Sequence, residues 1–312
     1  MTELFERIGT AEHVVLIAHL NPDADSLGSA STIYSYLLRL QKKATLFCVT
    51  ETIDPNLTFL PWFEKIRHQF PASADLAISF DCGSVSRLGV EPSCELINID
   101  HHSSNKGYGT INAVDTTAIS TTQVLYDLFQ AEKIKINPKM ATALYAGLLD
   151  DSNCFTSAKT DAKTFMMASE LHRCGADIAL CSASLVQSLS LAAMRLKGWM
   201  LQNAKLRCSG RLVSTLVPHA VMEATGAKQV DCEAALEESL YLPTAEVALM
   251  LRENRDGSVK GSIRGDGKID LSEFARAYGG GGHSHSAGFT IKNMALEDAE
   301  ETIVNVLEKE FV

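Results

Sequence analysis

The sequence lacks the features that mark several common classes of protein. None of its apolar runs approaches the roughly 18 residues that a membrane-spanning helix needs. Its first seven residues, MTELFER, are acidic and lack the apolar core of a signal peptide. Neither the GxGxxG pattern of dinucleotide-binding folds nor a Walker sequence occurs, so these nucleotide sites are not predicted. We therefore expect a cytoplasmic protein without a membrane-embedded part.

An excess of positive charge and paired cysteines are also missing. The chain has 38 acidic and 28 basic residues, a formal net charge of −10. Long nucleic acid normally requires a large basic surface, so it is not an expected partner, whereas short nucleotides held by a few basic groups and metals are compatible with this charge. The eight cysteines form no CxxC pair and no zinc-finger spacing, which in a cytosolic chain indicates reduced thiols.

The first half of the 312 residues alternates short β-like runs with helical stretches. We predict strands at 14–19, 44–49, 76–80 and 95–99, and helices at 27–41, 120–131, 138–149 and 161–174. Strands that alternate with helices predict an α/β fold with a mostly parallel sheet flanked by helices.

The second half has a different pattern. Residues 177–206 are helical throughout, and a hairpin turn signal, Asn254-Arg255-Asp256-Gly257, follows later. We predict strands at 212–217, 244–252, 258–264 and 287–291, and helices at 270–278 and 296–310. The predicted organisation is a catalytic domain over 1–187, a helical linker over 188–206 and a smaller α+β domain over 207–312.

Acidic and histidine side chains follow three of the predicted buried strands and one helix. They are His19, Asp23, Asp25, Asp81, Asp100, His101, His102 and the pair Asp150-Asp151. Ligands of open α/β sheets bind at the carboxyl ends of the strands, so we expect these side chains to meet. Carboxylates this close repel one another unless a cation neutralises them. Oxygen ligands with a few nitrogens suit manganese, magnesium or ferrous iron, and we predict a site for two divalent metals.

Simpler explanations exist for single members of this set. Asp23 or Asp25 alone is explained by helix capping, and Asp81 alone by a turn. A second candidate is the run Gly279 to Gly282 with His283, because consecutive glycines expose N–H groups that can bind phosphate oxygens. Arg264 is a further candidate for an anion contact, and its alternative is an ordinary exposed arginine.

These motifs resemble those of the DHH phosphoesterase superfamily. The resemblance is closest to stand-alone two-domain members of the nanoRNase and 3′-phosphoadenosine 5′-phosphate (pAp) phosphatase type, which carry a C-terminal DHH-associated domain. The matching motifs are His19-Leu20-Asn21-Pro22-Asp23-Ala24-Asp25, Asp81, Asp100-His101-His102, Asp151 and Gly279-Gly280-Gly281-Gly282-His283.

The resemblance implies a role for each residue. One metal would be held by His19, Asp23 and Asp81, and the other by Asp25, Asp81, His101 and Asp151, with Asp81 bridging. Mn²⁺ would be preferred and Mg²⁺ possible. His102 would face the substrate phosphate, and Asp100 would orient a neighbouring histidine. Arg87 matches a family position near the site. A second phosphate or terminal nucleotide would be bound by Arg264, Gly280, Gly281, Gly282 and His283. Asn153, where many members have glycine, and Ser286, where alanine is usual, depart from the pattern.

We therefore expect a metal-dependent phosphodiesterase or phosphatase in which two metals activate the attacking hydroxide. The expected substrates are short oligoribonucleotides and small nucleotides, such as pAp or linear and cyclic dinucleotides. The alternatives are an inorganic pyrophosphatase of the same superfamily, a RecJ-type single-strand exonuclease, and a metal-dependent nucleotide sensor without turnover. A homodimer is compatible with such a fold.

Overall fold

A computed structural model of the chain describes residues 3–311. The described residues leave out Met1, Thr2 and Val312. The first two belong to the N-terminal segment interpreted above, and Val312 belongs to the last predicted domain. The chain divides into two compact units, Met1–Ser188 and Leu189–Val312. Across residues 3–311, no helix combines the length and the apolar character needed to cross a membrane.

The first unit contains a five-stranded sheet whose strands are all parallel, in the order β2-β1-β3-β4-β5. Its elements are α1 (Glu3–Thr10), β1 (His13–Ala18), α2 (Ala24–Arg39), β2 (Lys43–Phe47), β3 (Leu76–Phe80), β4 (Glu95–Asp100), β5 (Ile111–Val114), α3 (Thr121–Ala131), α4 (Pro138–Asp151), α5 (Ala162–Arg173) and α6 (Ile178–Leu185).

The central strands of this sheet are buried on both faces, as is usual for parallel sheets. Val14 and Leu16 of β1 belong to the core formed with the helices, whereas Val15 and Ile17 belong to a smaller core on the opposite face. That smaller core is completed by side chains from the irregular segments between 70 and 108. The all-parallel sheet brings the carboxyl ends of β1, β3 and β4 to one edge.

The strand β5 was missed by the sequence-based prediction. Its four residues, Ile-Asn-Ala-Val, are too short for a clear alternation of apolar and polar positions. It lies at the edge of the sheet, where β4 is its pairing partner among residues 3–311. Tertiary pairing with β4 therefore decides its conformation.

The second unit contains a six-stranded mixed sheet in the order β10-β11-β9-β8-β7-β6, in which only β7 and β8 pair in parallel. Its elements are α7 (Leu191–Asn203), β6 (Lys205–Arg207), β7 (Leu212–Val217), α8 (His219–Thr225), α9 (Val230–Glu238), β8 (Val247–Glu253), β9 (Val259–Gly265), α10 (Leu271–Ala277), β10 (Gly281–His283), β11 (Ser286–Ile291) and α11 (Leu296–Glu310).

The helix α7 falls in the segment predicted as a linker. Its Leu196 and Met200 are buried in a core with Leu236 of α9 and Met250 of β8, so the helix packs as part of the second unit. The predicted fold class is confirmed: an α/β unit with a parallel sheet precedes a second unit with a mixed sheet and helices.

Candidate metal centre

Asp81 lies at the centre of the candidate site, directly after β3. Its backbone has a positive φ of 57°, and its N–H donates to the Ile99 carbonyl at 3.1 Å. The two carboxylate oxygens face different histidines: Oδ2 lies 3.4 Å from His19 Nε2, and Oδ1 lies 3.3 Å from His101 Nε2. Aspartate tolerates this backbone region better than most residues, and such conformations cluster at functional sites.

Asp23 joins His19 and Asp81 on one side of the cluster. Its Oδ1 accepts the Ser26 N–H at 2.9 Å and so caps α2, while its Oδ2 lies 3.3 Å from His19 Nε2. Helix capping and a place in the cluster are therefore not alternatives, because each oxygen of Asp23 has one of the two roles.

Asp25 and Asp151 join His101 and Asp81 on the other side. Asp151 Oδ2 lies 3.2 Å from His101 Nε2. Asp25 is fully buried in the first turn of α2, and its carboxylate accepts the N–H groups of Thr121 at 2.6 Å and Thr122 at 2.9 Å, at the start of α3. The positive end of α3 thus holds this carboxylate.

Glycine at position 147 makes room for Asp25. A Cβ atom at Gly147 would lie 2.5 Å from Asp25 Oδ1, closer than any real side chain permits. Asp150, the neighbour of Asp151, has a different role: its Oδ2 accepts the Ala24 N–H at 3.1 Å, at the start of α2.

The histidine rings share one orientation. His19 Nδ1 lies 2.8 Å from the Leu20 carbonyl, and His101 Nδ1 lies 3.4 Å from the Ala118 carbonyl. A carbonyl only accepts, so in each ring Nδ1 carries a hydrogen, and Nε2 is the nitrogen that faces the carboxylates and is available to a metal once its own proton is lost. Metal-ligating histidines usually donate their other ring N–H to a carbonyl or carboxylate in this way.

Without a cation, the crowded carboxylates of the cluster shift the pKa values of several of its members. Burial and the neighbouring charge of Asp81 raise the pKa of Asp25 to about 7, and burial with repulsion from Asp25 and Asp81 raises the pKa of Asp151 to about 11. Burial by itself lowers the pKa of His19, but hydrogen bonds with Asp23 and Asp81 outweigh it and raise that pKa to about 10. Protons therefore compensate charges that a divalent ion would compensate.

The donor set fits divalent cations. Two groups of candidate ligand atoms each lie within 4.8 Å of one another: His19, Asp23 and Asp81, and Asp25, Asp81, His101 and Asp151. Carboxylate oxygens with a few imidazole nitrogens suit hard and borderline divalent ions. The cluster is therefore able to bind metal, and the two groups share Asp81. A third such group combines Asp81 and His101 with Asp100 and His102.

Asp100 and His102 form a hydrogen-bonded pair beside the cluster. His102 Nδ1 donates to Asp100 Oδ1 at 2.8 Å, and the second oxygen of the buried Asp100 accepts Asn105 Nδ2 at 2.6 Å. Asn105 also bonds to Asn98 and to the Cys82 carbonyl. The sequence analysis missed Asn105, although an amide a few residues after Asp100 in the same loop is a usable signal.

Arg87 lines a cavity of about 350 Å³ that also includes Asp23, Asp81, His101, His102, Ile119, Asp151, Ser157 and Lys159. Its Nη2 lies 3.0 Å from His19 Nδ1, so the guanidinium packs against the histidine ring. Ser157 and Lys159 were not among the predicted site residues, because nothing in the local sequence places them near a strand end.

The glycine run of the second unit is partly a strand. Gly281 to His283 form β10, which pairs with β11 through a two-residue turn. A Cβ atom at Gly280 would lie 2.1 Å from the Gly288 carbonyl oxygen, so this position requires glycine. His283 is exposed, and its ring stacks on that of His285 with centroids 6.3 Å apart.

Arg264 already has acidic partners. Its Nη2 donates to Glu233 Oε2 at 2.5 Å, and its Nε lies 3.6 Å from Glu237 Oε1. Binding an anion through Arg264 would therefore compete with these two carboxylates. Its predicted role, and those of Gly280 to His283, stay predictions.

Comparisons with known proteins agree with these features. The model of the DHH family, N-terminal domain, matches residues 13–148, and that of the DHHA1 domain matches residues 216–312. The chain is 30% identical to the bifunctional oligoribonuclease and PAP phosphatase NrnA of Thermus thermophilus, over 95% of this chain and 90% of that protein. It is 28% identical to the Bacillus subtilis protein of the same name, over 93% of each.

A solved structure of an exopolyphosphatase-related protein from Bacteroides fragilis is also similar. It superposes with a TM-score of 0.87 at 20% identity and covers 98% of this chain and 96% of that one. At this identity the likeness supports the fold alone.

Proposed function

Because the chain belongs to the DHH family of phosphoesterases, we propose that it is a two-metal enzyme that hydrolyses short oligoribonucleotides and small nucleotides such as pAp. The observation that carries this proposal is the pair of ligand groups joined by the two oxygens of Asp81. Sites of this kind are characteristic of phosphoryl-transfer enzymes.

The number of carboxylates in the cluster supports two ions rather than one. Asp23, Asp25, Asp81 and Asp151 carry up to four negative charges in a mostly buried cluster. Two divalent cations, Mn²⁺ by preference and Mg²⁺ otherwise, would neutralise them and supply Lewis-acid charge and a nucleophile at neutral pH.

The protein groups around the cluster would bind and orient the phosphate. Asp100 holds the His102 ring through Nδ1, which leaves Nε2 without a hydrogen-bond partner among the described residues. When the ring is protonated, Nε2–H would donate to a phosphoryl oxygen, and the Asp100 carboxylate would compensate the positive charge. Arg87 would bind a second oxygen of the same phosphate.

Several properties support small nucleotides as substrates. The cavity of about 350 Å³ lies at the small end of the range for ligand sites. The net charge of −10 does not favour long nucleic acid, and both relatives named above act on oligoribonucleotides and PAP by name. We also propose a cytoplasmic location and binding of a phosphate or terminal nucleotide by Gly280, Gly281, Gly282 and His283.

Product analysis with Mn²⁺ tests the proposal. The purified chain and its Asp81→Asn variant are incubated in parallel with pApA, a five-residue RNA, cyclic di-AMP, pAp and pyrophosphate. We expect wild-type release of mononucleotide from the short RNAs and of phosphate from pAp, and none from the variant. Hydrolysis of pyrophosphate alone would favour the pyrophosphatase alternative, and binding without turnover would favour the sensor.

A further inference from the structure

Lys159 reaches the cavity because of an unusual turn after α4. Three consecutive residues, Asn153, Cys154 and Phe155, have positive φ values of 47°, 56° and 65°. Ser152 holds this turn, since its Oγ accepts the Phe155 N–H at 3.0 Å and its carbonyl accepts the Ser157 N–H at 2.9 Å. The left-handed turn folds the chain back, so that Ser157 and Lys159 line the same cavity as Asp151.

The ammonium group of Lys159 has no carboxylate partner within ion-pair distance in residues 3–311. Lys163, which lies in the first turn of α5, is a useful contrast: its Nζ lies 2.6 Å from Asp127 Oδ2. Lys159 is exposed, whereas His19 and Asp81 in the same region are buried. A free cation at this position can therefore contact a substrate group that lies outside the buried cluster.

The charges that line the cavity favour such a contact with a phosphate. Two divalent ions would cancel the four carboxylates Asp23, Asp25, Asp81 and Asp151. The described cavity lining then has a net positive charge, which comes from Arg87 and Lys159. Arg87 packs against His19, next to the cluster, which leaves Lys159 for a phosphate further away.

We propose that Lys159 binds the phosphate that is not cleaved, so that the enzyme prefers nucleotides carrying a second, terminal phosphate over those with a single phosphodiester. This inference rests on the proposed function. The substrate class that it names comprises 5′-phosphorylated short oligoribonucleotides and nucleoside bisphosphates.

Steady-state kinetics of Lys159→Gln with Mn²⁺ test the inference, with Lys163→Gln as the matched control. The substrates are pApA and ApA, which differ only in the terminal phosphate. An exposed charge contact predicts a three- to fivefold rise, roughly, in KM for pApA, with kcat within about twofold and ApA unchanged. Lys163→Gln should leave both substrates unchanged. Equal effects of Lys159→Gln on both substrates, or none on either, would overturn the inference.

A second measurement separates this inference from the proposed function. If wild type hydrolyses neither dinucleotide, the proposed function has failed, and equilibrium binding of pApA and ApA in the presence of Mn²⁺ then decides about Lys159. A wild-type preference for pApA that disappears in Lys159→Gln and persists in Lys163→Gln supports the contact. A preference that survives in both variants, or is absent from wild type, overturns it.

Discussion

Replacing the shared carboxylate at position 81 is the most demanding test of the site. In Asp81→Asn the side chain keeps its shape and loses the charge that faces both His19 and His101. Removing a residue that only hydrogen-bonds to a metal ligand typically weakens metal binding 10- to 100-fold. Loss of a direct ligand to both ions should therefore weaken each by at least about 100-fold, or about 2.7 kcal/mol per ion.

This loss has a thermal signature. Two ions, each present at 100 times its Kd, together stabilise the folded protein by about 5.4 kcal/mol, which corresponds to a rise in Tm of roughly 11–22 °C for a unit of this size. We expect Mn²⁺ to raise the Tm of wild type by about this much. In Asp81→Asn, the same Mn²⁺ concentration should give a shift of less than about 4 °C, because each ion would then be near its weakened Kd and the two would add only about 0.8 kcal/mol.

The assay combines melting with and without Mn²⁺, metal content after desalting, and turnover of pApA. Asp150→Asn is the matched control, because its amide oxygen can still accept the Ala24 N–H and the residue lies outside the ligand groups. Turnover by Asp81→Asn should fall by at least about 10³-fold. A variant that keeps two bound ions and turnover within tenfold of wild type would refute the shared role of Asp81.

Three further predictions concern the charges of the two units. Since the pKa values of Asp25 and Asp151 are raised to about 7 and 11 without metal, Mn²⁺ must displace protons when it binds. Calorimetry in two buffers should show proton release and a Mn²⁺ affinity that rises from pH 6 to 8, and proton uptake would contradict this. His102→Ala should lower kcat by about 10²–10⁴ with Mn²⁺ content unchanged, and loss of metal would instead make the ring a ligand. Burial opposes the charge of Glu300, but hydrogen bonds from Ser214 and Lys205 outweigh it and lower the pKa of this carboxyl. Glu300→Gln should therefore lower the free energy of unfolding in urea by about 1–3 kcal/mol at pH 7, and by less below pH 4, where protonation removes the wild-type advantage. The control Glu301→Gln, at an exposed position, should change stability by less than about 0.5 kcal/mol at either pH.

The strand ends were predictable from local sequence. Continuous apolar runs identified β1, β3 and β4, and the polar residues at their carboxyl ends are His19, Asp81 and Asp100. Because parallel strands end at a common edge, these residues can be expected to meet from the sequence alone. The short edge strand β5 and the helices α8 and α9 were not predictable in this way, since their patterns are weak and tertiary packing selects their conformation.

Within the candidate site, sequence reasoning named the acidic and histidine residues of the cluster but not their hydrogen bonds. Nothing local indicates that one oxygen of Asp23 caps α2 while the other faces His19, or that the start of α3 holds Asp25. The same holds for Arg264, whose charge is compensated by Glu233 from a helix about 30 residues away. Contacts of this kind join segments that are distant in sequence.

The sequence by itself determined the fold class of both units and the identity of the acidic and histidine cluster, because periodicity and strand-end chemistry are local properties. The tertiary structure alone decided which oxygen of Asp81 faces which histidine, that Asp150 accepts the Ala24 N–H at the start of α2, and that Lys159 lines the cavity. These arrangements depend on helix packing and on a left-handed turn, and no local pattern encodes the direction in which a side chain finally points.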